Sequence, residues 1–337
     1  MNGKIEFGLI GYGYWGKNIA RNIYENKDCN LNIISDLNES NLNYASKKFP
    51  QTKTTLISDN VFKNSSIDII GIFTPPQTHY ELIMKALEYE KHVMVTKPLC
   101  LSVVEAEKIK ATSEKKQLQV FLDDTFLFSG PIAFLKKYFK EESFGDLVFI
   151  QSSRINLGLI QDDCNVIWDL GPHDIGILNY ILDAVPIKVR ASGFNPFEDI
   201  YNFACHSNCD LVYENNLFAS ITLSWLSSIK TRRMIFGGTK ETVIYDHLDN
   251  DQQIKIFKQS ILPSEIDAST QFEYSVGETV LPIIDNIEPL KKEIEEVVLS
   301  LKTNAKFVSD VDHAIKTIKV IESLQLSLMS NSEFIDT

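Results

Sequence analysis

Two short segments hold the residue types needed for redox chemistry on an alcohol. Thr96-Lys97-Pro98 follows an apolar run that ends at Val95. Asp169-Leu170-Gly171-Pro172-His173 sets a carboxylate and an imidazole four residues apart, which at a helix start puts both on one face. Alcohol oxidation removes a hydride from carbon and a proton from oxygen. A sugar hydroxyl is nearly as weak an acid as water, with a pKa of about 16, while an ordinary imidazole sits near ~6.5. That gap of about 9 units, or about 12 kcal/mol, rules out a free alkoxide before the hydride departs. The base must take the proton as the hydride leaves, or a cation must stabilise the oxygen. Lys97 suits the cation, His173 the general base, and Asp169 a group that orients either one. In the reductive direction the roles reverse. Alone, each has a plainer reading: a loop lysine, a structural histidine, a helix-capping aspartate. Their joint occurrence beside a dinucleotide site is what points to chemistry.

That dinucleotide site is written near the start of the chain. Gly11-Tyr12-Gly13-Tyr14-Trp15-Gly16 follows a strand-like run at 5–10 and leads into a helix with Ile19, Ala20 and Ile23 on one face. A second apolar strand, 31–34, ends in Ser35-Asp36, with Asp36 twenty residues beyond Gly16 (36 − 16). Strand, glycine turn, helix, strand and acid make up the dinucleotide-binding pattern. Gly11 allows the tight turn, Gly13 lets the backbone approach a pyrophosphate, and Gly16 lets helix and strand pack closely. The unpaired N–H groups and dipole of the helix start attract the phosphates. Asp36 accepts from ribose hydroxyls and repels a 2′-phosphate, so the expected cofactor is NAD rather than NADP.

Apolar periodicity gives the elements that must position these residues. Residues 1–123 alternate strands (5–10, 31–34, 67–73, 92–95, 118–122) with helices (after Gly16, then 39–48, 79–90, 103–115). Repeated βα units predict an α/β Rossmann domain, a parallel doubly wound sheet with ligands at the carboxyl ends of its strands. From about Asp146 the pattern changes to strands at 147–155, 187–194, 217–225, 232–237 and 254–257, interrupted by a helix at 175–182. Helices return at 290–302 and 311–328. Residues 124–337 are therefore expected to form an α+β domain with a large, mostly antiparallel sheet.

At 337 residues, two domains are the natural expectation. The net charge of −12 argues against nucleic-acid or anionic-membrane binding. Five cysteines, an odd number with only Cys205 and Cys209 close together, suit a reduced cytoplasmic chain better than a disulfide framework or a metal site. A strand already under way at Ile5 leaves no room for a signal peptide, and no apolar run approaches the ~20 residues of a membrane span.

The chain resembles the Gfo/Idh/MocA family (glucose–fructose oxidoreductase and inositol dehydrogenase) over nearly its full length. The matching stretches are Gly11 to Gly16, Thr74-Pro75-Pro76-Gln77-Thr78-His79, Lys91-His92-Val93 leading to Lys97-Pro98, and Asp169 to His173. The resemblance implies a Rossmann domain joined to an open-faced sheet domain, and hydride transfer at sugar or cyclitol carbons. It places the catalytic lysine on Lys97 and the acid and histidine on Asp169 and His173. It sets Tyr12, Tyr14, Trp15, Thr74, Pro75, Pro76, His79 and Lys97 along the cofactor, and implies a cis Lys97–Pro98 bond. By the same resemblance, a self-pairing sheet face makes a homodimer or homotetramer.

Arg154-Ile155-Asn156-Leu157-Gly158, Asn165-Val166-Ile167-Trp168-Asp169, and Ser224-Trp225-Leu226 with Lys230 and Arg232 resemble a narrower, sugar-nucleotide branch. Its members are similar to UDP-N-acetylglucosamine 3-dehydrogenases of surface-polysaccharide pathways. That likeness implies a UDP- or dTDP-sugar substrate contacted by Lys97, Arg154, Asn156, Asn165, Trp168, His173, Lys230 and Arg232. Arg154, Lys230 and Arg232 are candidates for its diphosphate, since a guanidinium forks onto phosphate. Thr96 stands where the family usually has glutamate, Gly176 where many members carry an acid, and Asp124 where this branch has a histidine. A cyclitol or free-sugar dehydrogenase and a non-catalytic ligand sensor are the other readings.

Overall fold

The computed structural model describes residues 3–161, 164–263, 272–285 and 287–337. In chain order the first elements are β1 (Ile5–Ile10), α1 (Tyr14–Glu25), β2 (Cys29–Ser35), α2 (Glu39–Lys48), β3 (Lys53–Thr55), α3 (Asp59–Phe62), β4 (Ile69–Ile72), α4 (His79–Glu88), β5 (His92–Thr96), α5 (Val103–Lys116) and β6 (Val120–Asp123). Then come α6 (Gly130–Tyr138), β7 (Leu147–Leu157), α7 (Val166–Leu182), β8 (Lys188–Phe194), β9 (His206–Val212), β10 (Phe218–Ser224), β11 (Leu226–Gly238), β12 (Thr242–Asp246) and β13 (Ile254–Phe257). The chain ends with β14 (Ser260–Pro263), β15 (Phe272–Ser275), β16 (Thr279–Val280), α8 (Pro289–Thr303), α9 (Val311–Met329) and β17 (Ile335–Asp336).

The chain divides into two compact units, residues 1–129 with 287–318, and residues 130–286 with 319–337. In the first, six strands run in the order β3-β2-β1-β4-β5-β6, and every pair is parallel. β1 and β4 are neighbours although β2 and β3 intervene in sequence, so the strand order reverses between them. This is the doubly wound topology, whose ligands lie beyond the carboxyl ends of the strands at the reversal. The register pairs Ile10 with Ser35 and Ile72, Ile72 with Val95, and Thr96 with Asp123. Gly11, Asp36, Thr74, Lys97 and Asp123 therefore share one edge of the sheet.

The expected boundary at 123/124 misplaces one segment. α8 carries Leu290, Ile294, Val297, Val298 and Leu301 at helical spacing, and these join Phe7, Leu9, Ile19, Ile23 and Phe121 in one buried cluster. Such a stripe needs a core, and this helix finds it in the first unit. Phe307 meets Phe121 edge-on at 4.9 Å, Lys302 pairs with Asp28 at 2.7 Å, and Glu288 pairs with Arg21.

The second unit is a nine-stranded sheet ordered β16-β13-β12-β11-β7-β10-β9-β8-β17. β7 and β10 are parallel and the other pairs antiparallel. Residues alternate in burial along β7: Ile150, Ser152 and Arg154 are buried, whereas Phe149 and Gln151 are exposed. The buried face lies under α7, which packs on β7, β9 and β10. α7 starts at Val166, well before the expected Ile175. Asn165 caps its start, and Gly171 and Pro172 are carried inside it without breaking the helix.

Candidate active site

At the edge of the parallel sheet, the main chain shapes the glycine turn. Gly11 has φ +93°, and a Cβ there would lie 2.3 Å from the Phe73 carbonyl oxygen. A Cβ on Gly16 would lie 2.3 Å from the Gly11 carbonyl oxygen, whereas one on Gly13 would meet nothing within 4 Å. The turn, the close helix packing and the open approach are thus divided among the three glycines as a dinucleotide requires. Gly13 precedes α1 as its N-cap, with no side-chain cap bond and no acid in the first turn, so the N-terminal N–H groups of the helix suit an anion. Asp36 is fixed beside it: Oδ2 accepts from the Tyr12 N–H at 2.6 Å and Oδ1 from the Asn38 N–H at 2.7 Å. These residues fit NAD.

The side chains of two residues expected along the cofactor turn into the protein. The Tyr12 side chain is wholly buried against Phe49 and Tyr44, because its ring belongs to the core beneath the turn. His79 is also wholly buried. Its Nδ1 faces the Pro98 carbonyl oxygen at 2.7 Å and its Nε2 the Thr74 carbonyl oxygen at 2.9 Å. Burial pushes this imidazole below its ordinary value, against the pull of the two carbonyls. His79 ties together two loops of the ligand edge, the Thr74-Pro75-Pro76 turn and the segment carrying Lys97. Lys97 is half-buried there, and its bond to Pro98 is cis. Thr74 Oγ1 pairs with Thr78 Oγ1 at 2.6 Å. Tyr14 projects into solvent, while the Trp15 indole N–H donates to Asp123.

In the second unit the chemistry sits on the first turns of α7. Asp169 and His173 are half-buried one helical turn apart. Trp225 is buried, and its indole N–H donates to Asp169 Oδ2 at 2.9 Å. Gly158 leaves room for this ring, because a Cβ there would meet Trp225 at 2.7 Å and Asn156 at 3.1 Å. Trp225 thus stands on the Asp169 side of the helix. Trp168 is half-exposed in the first turn.

Two residues expected to contact substrate make structural bonds. Asn165 is buried; its Oδ1 accepts from the N–H groups of Ile167 (3.0 Å) and Trp168 (3.2 Å), and its amide donates to Gln325. It caps α7, because a helix start leaves such donors without partners. Arg154 is 3% exposed and ion-paired with buried Asp174, which also accepts from Ser152 Oγ at 2.6 Å. That pair bolts α7 to β7, so the Arg154 charge is spent inside the protein.

Arg232 differs. It lies beside Arg154 across the strand pair and is half-exposed. Its buried Nε has no hydrogen-bond partner among the described residues. Burial, then the Arg154 charge, lowers its guanidinium pKa. The backbone N–H of His247 donates to the Arg232 carbonyl at 2.9 Å. His247 is held down at about 4 by burial and then by Arg232, Arg154 and Lys230. Lys230 is exposed two residues before Arg232. Sequence reasoning missed His247, Asp174 and Asp123. Asp174 directly follows the Asp169–His173 segment, whereas nothing in the sequence marks the other two.

With the fold and these groups in view, the class is that of a Rossmann-fold, NAD-binding oxidoreductase. Residues 5–123 match the oxidoreductase family with an NAD-binding Rossmann fold, and residues 133–244 match the GFO/IDH/MocA C-terminal domain. The chain belongs to the GFO/IDH/MocA family. It is 32% identical over 161 residues to the uncharacterized oxidoreductase YdgJ of Escherichia coli K12, covering 45% of this chain and 43% of that one, less than half its length. It is 21% identical over 248 residues to the UDP-N-acetylglucosamine 3-dehydrogenase of Acidithiobacillus ferrooxidans, covering 73% and 75%. It is 26% identical over 213 residues to the scyllo-inositol 2-dehydrogenase (NAD(+)) of Bacillus subtilis, covering 60% and 61%. The solved structure of the Acidithiobacillus enzyme superposes with a TM-score of 0.80 at 17% identity, covering 97% and 98%, which is a likeness of fold. Among the described residues, no helix is long and apolar enough to cross a membrane.

Proposed function

We propose that the protein is an NAD-dependent dehydrogenase that oxidises a hexose hydroxyl of a sugar nucleotide, a UDP- or dTDP-sugar. Such a substrate would place it in surface-polysaccharide or amino-sugar biosynthesis. The observation that carries the reading is the head of α7, where Asp169 and His173 stand one turn apart on a helix immobilised by Asn165, Asp174 and Trp225. Bound NAD supplies the hydride acceptor. Lys97 polarises the substrate oxygen, and His173 takes the hydroxyl proton as the hydride leaves. Asp169, oriented by the Trp225 indole, steadies the imidazole as it gains charge. Arg232 and Lys230 hold the diphosphate, a role supported by the unneutralised second guanidinium and the cationic field felt by His247. The cysteines form no disulfide, which supports a cytoplasmic setting. The open sheet face supports a homodimer or homotetramer.

The test is a substrate panel followed by nicotinamide absorbance. UDP-N-acetylglucosamine or another nucleotide sugar should be oxidised, and Lys97→Ala should lose about 10²–10⁴-fold in kcat while still binding NADH. Turnover of scyllo- or myo-inositol with no turnover of any nucleotide sugar would favour the cyclitol reading instead. The 26% identity to the Bacillus enzyme is the observation behind it.

A further inference from the structure

Behind the glycine turn lies a group of buried acids that the proposed reaction does not use. Asp123 ends β6 and Glu293 sits on α8; they are 3% and 0% exposed. Asp123 accepts the Trp15 indole N–H on Oδ2 and the Thr125 hydroxyl on Oδ1 at 2.8 Å. Neither oxygen of Glu293 has a hydrogen bond of good geometry among the described residues, and the Thr125 hydroxyl, the one donor facing it, is already given to Asp123 at 2.8 Å. Its carboxyl lies instead against that of Asp123. Two carboxylates in contact, both out of water, cannot both be ionised. Asp123 already takes two donors and so is the carboxylate of the pair. The acid is Glu293, whose hydroxyl supplies the missing donor.

We propose that Glu293 and Asp123 share one proton and that this pair positions Trp15, and through it the first turn of α1, for NAD. Trp15 lies between Tyr14 and Gly16, whose N–H groups open the helix toward the pyrophosphate. Removal of the proton sets two charges against each other and displaces the Asp123 carboxylate from the indole. Burial raises both acids, Glu293 well above its ordinary value, with the Asp123 charge as its next cause. The other titratable groups facing the pair are Asp124, 4% exposed, and His313, whose Nε2 lies 3.6 Å from Asp124 Oδ2. The Asp124 charge also raises both acids, so it opposes ionisation of the pair. A raised acid favours the folded, NAD-ready arrangement at low pH and loses that contribution as pH rises through its folded pKa.

The test uses the full-length protein and NADH, with affinity read by fluorescence from about pH 6 to about pH 9, the range documented for deeply buried glutamates. Wild type should lose about tenfold in NADH affinity over that range, the size of one hydrogen bond to a charged group. Glu293→Gln keeps a donor toward Asp123 at every pH, so its affinity should match wild type at the acid end and stay flat. Infrared spectroscopy should show a protonated carboxyl band in wild type at pH ~6 that is missing in Glu293→Gln. An E293Q profile that follows wild type overturns the proposal, as does the absence of that band. Should E293Q fail to fold, wild type alone decides. Loss of the band with the same midpoint as the loss of affinity supports the pair, and separate midpoints overturn it.

Discussion

The two units hold their reactive groups by different means. At the edge of the parallel sheet the backbone does most of the holding. Gly11 turns through a positive φ, Gly16 lets α1 press on the Gly11 carbonyl, and Asp36 is fixed by main-chain N–H groups. On α7 it is pairs of side chains: Asn165 with Gln325, Arg154 with Asp174, Trp225 with Asp169. A site built from backbone is damaged by an added atom. A site built from side-chain pairs is damaged by a missing one.

The largest effect should come from the buried ion pair. Asp174→Ala leaves the Arg154 guanidinium buried without its carboxylate, which costs about 3–5 kcal/mol in urea unfolding. Replacing both partners with apolar residues of similar volume should recover most of that loss. A single variant within 1 kcal/mol of wild type (about the value of an exposed pair) would show that α7 is held by something else.

On the backbone side, two alanines separate folding from binding. Gly11→Ala meets both a φ of +93° and the Phe73 carbonyl, so it should destabilise by about 1–3 kcal/mol and abolish NADH binding. Gly13→Ala sits at an ordinary φ of −73° with nothing within 4 Å, so stability should change by less than about 1 kcal/mol. NADH affinity should still fall, because the added methyl occupies the path of the pyrophosphate. Equal unfolding losses in the two variants would erase the distinction between turn and approach.

The same contrast explains what the sequence could tell. The turn Gly11 to Gly16, the acid at Asp36, the parallel order and the edge position of Lys97 were all legible, because backbone constraints select residue types at fixed spacing. The helix 39–48 was placed to the residue, helped by its flanking turns. The roles of Arg154 and Asn165 were not legible. An arginine reads the same in sequence whether it meets a phosphate or an aspartate twenty residues away across a helix–strand contact. α8 was assigned to the wrong unit for a related reason, since an apolar stripe states that a core is needed but not which one. β9 and β12 went unrecognised because their short polar-apolar alternation carries little signal apart from their neighbours.

A smaller effect tests the link from Trp225 to Asp169. Trp225→Phe keeps most of the ring volume beside Gly158 and removes only the indole donor. Its expected cost is about tenfold in kcat, near the net value of one hydrogen bond to a carboxylate, with NADH affinity unchanged. A fall in NADH affinity with kcat intact would place the role of this residue in the wrong unit.

The last test concerns charge where His247 meets Arg232 and its cross-strand partner Arg154. His247 is pushed from 6.5 to about 4 by burial first and then by Arg232, Arg154 and Lys230. The folded state therefore refuses a proton that the unfolded chain accepts. Stability is full above the unfolded value of 6.5 and is lost as pH falls through about 4, and His247→Gln should flatten that acid limb. A bound diphosphate would offset the three cations and raise the His247 pKa. UDP binding near pH ~5.5 should then draw protons from solution in wild type and far fewer in the glutamine variant. Calorimetry in buffers of different ionisation enthalpy reads this directly. UDP that binds with no proton uptake would place its phosphates away from Arg232, whatever the enzyme proves to oxidise.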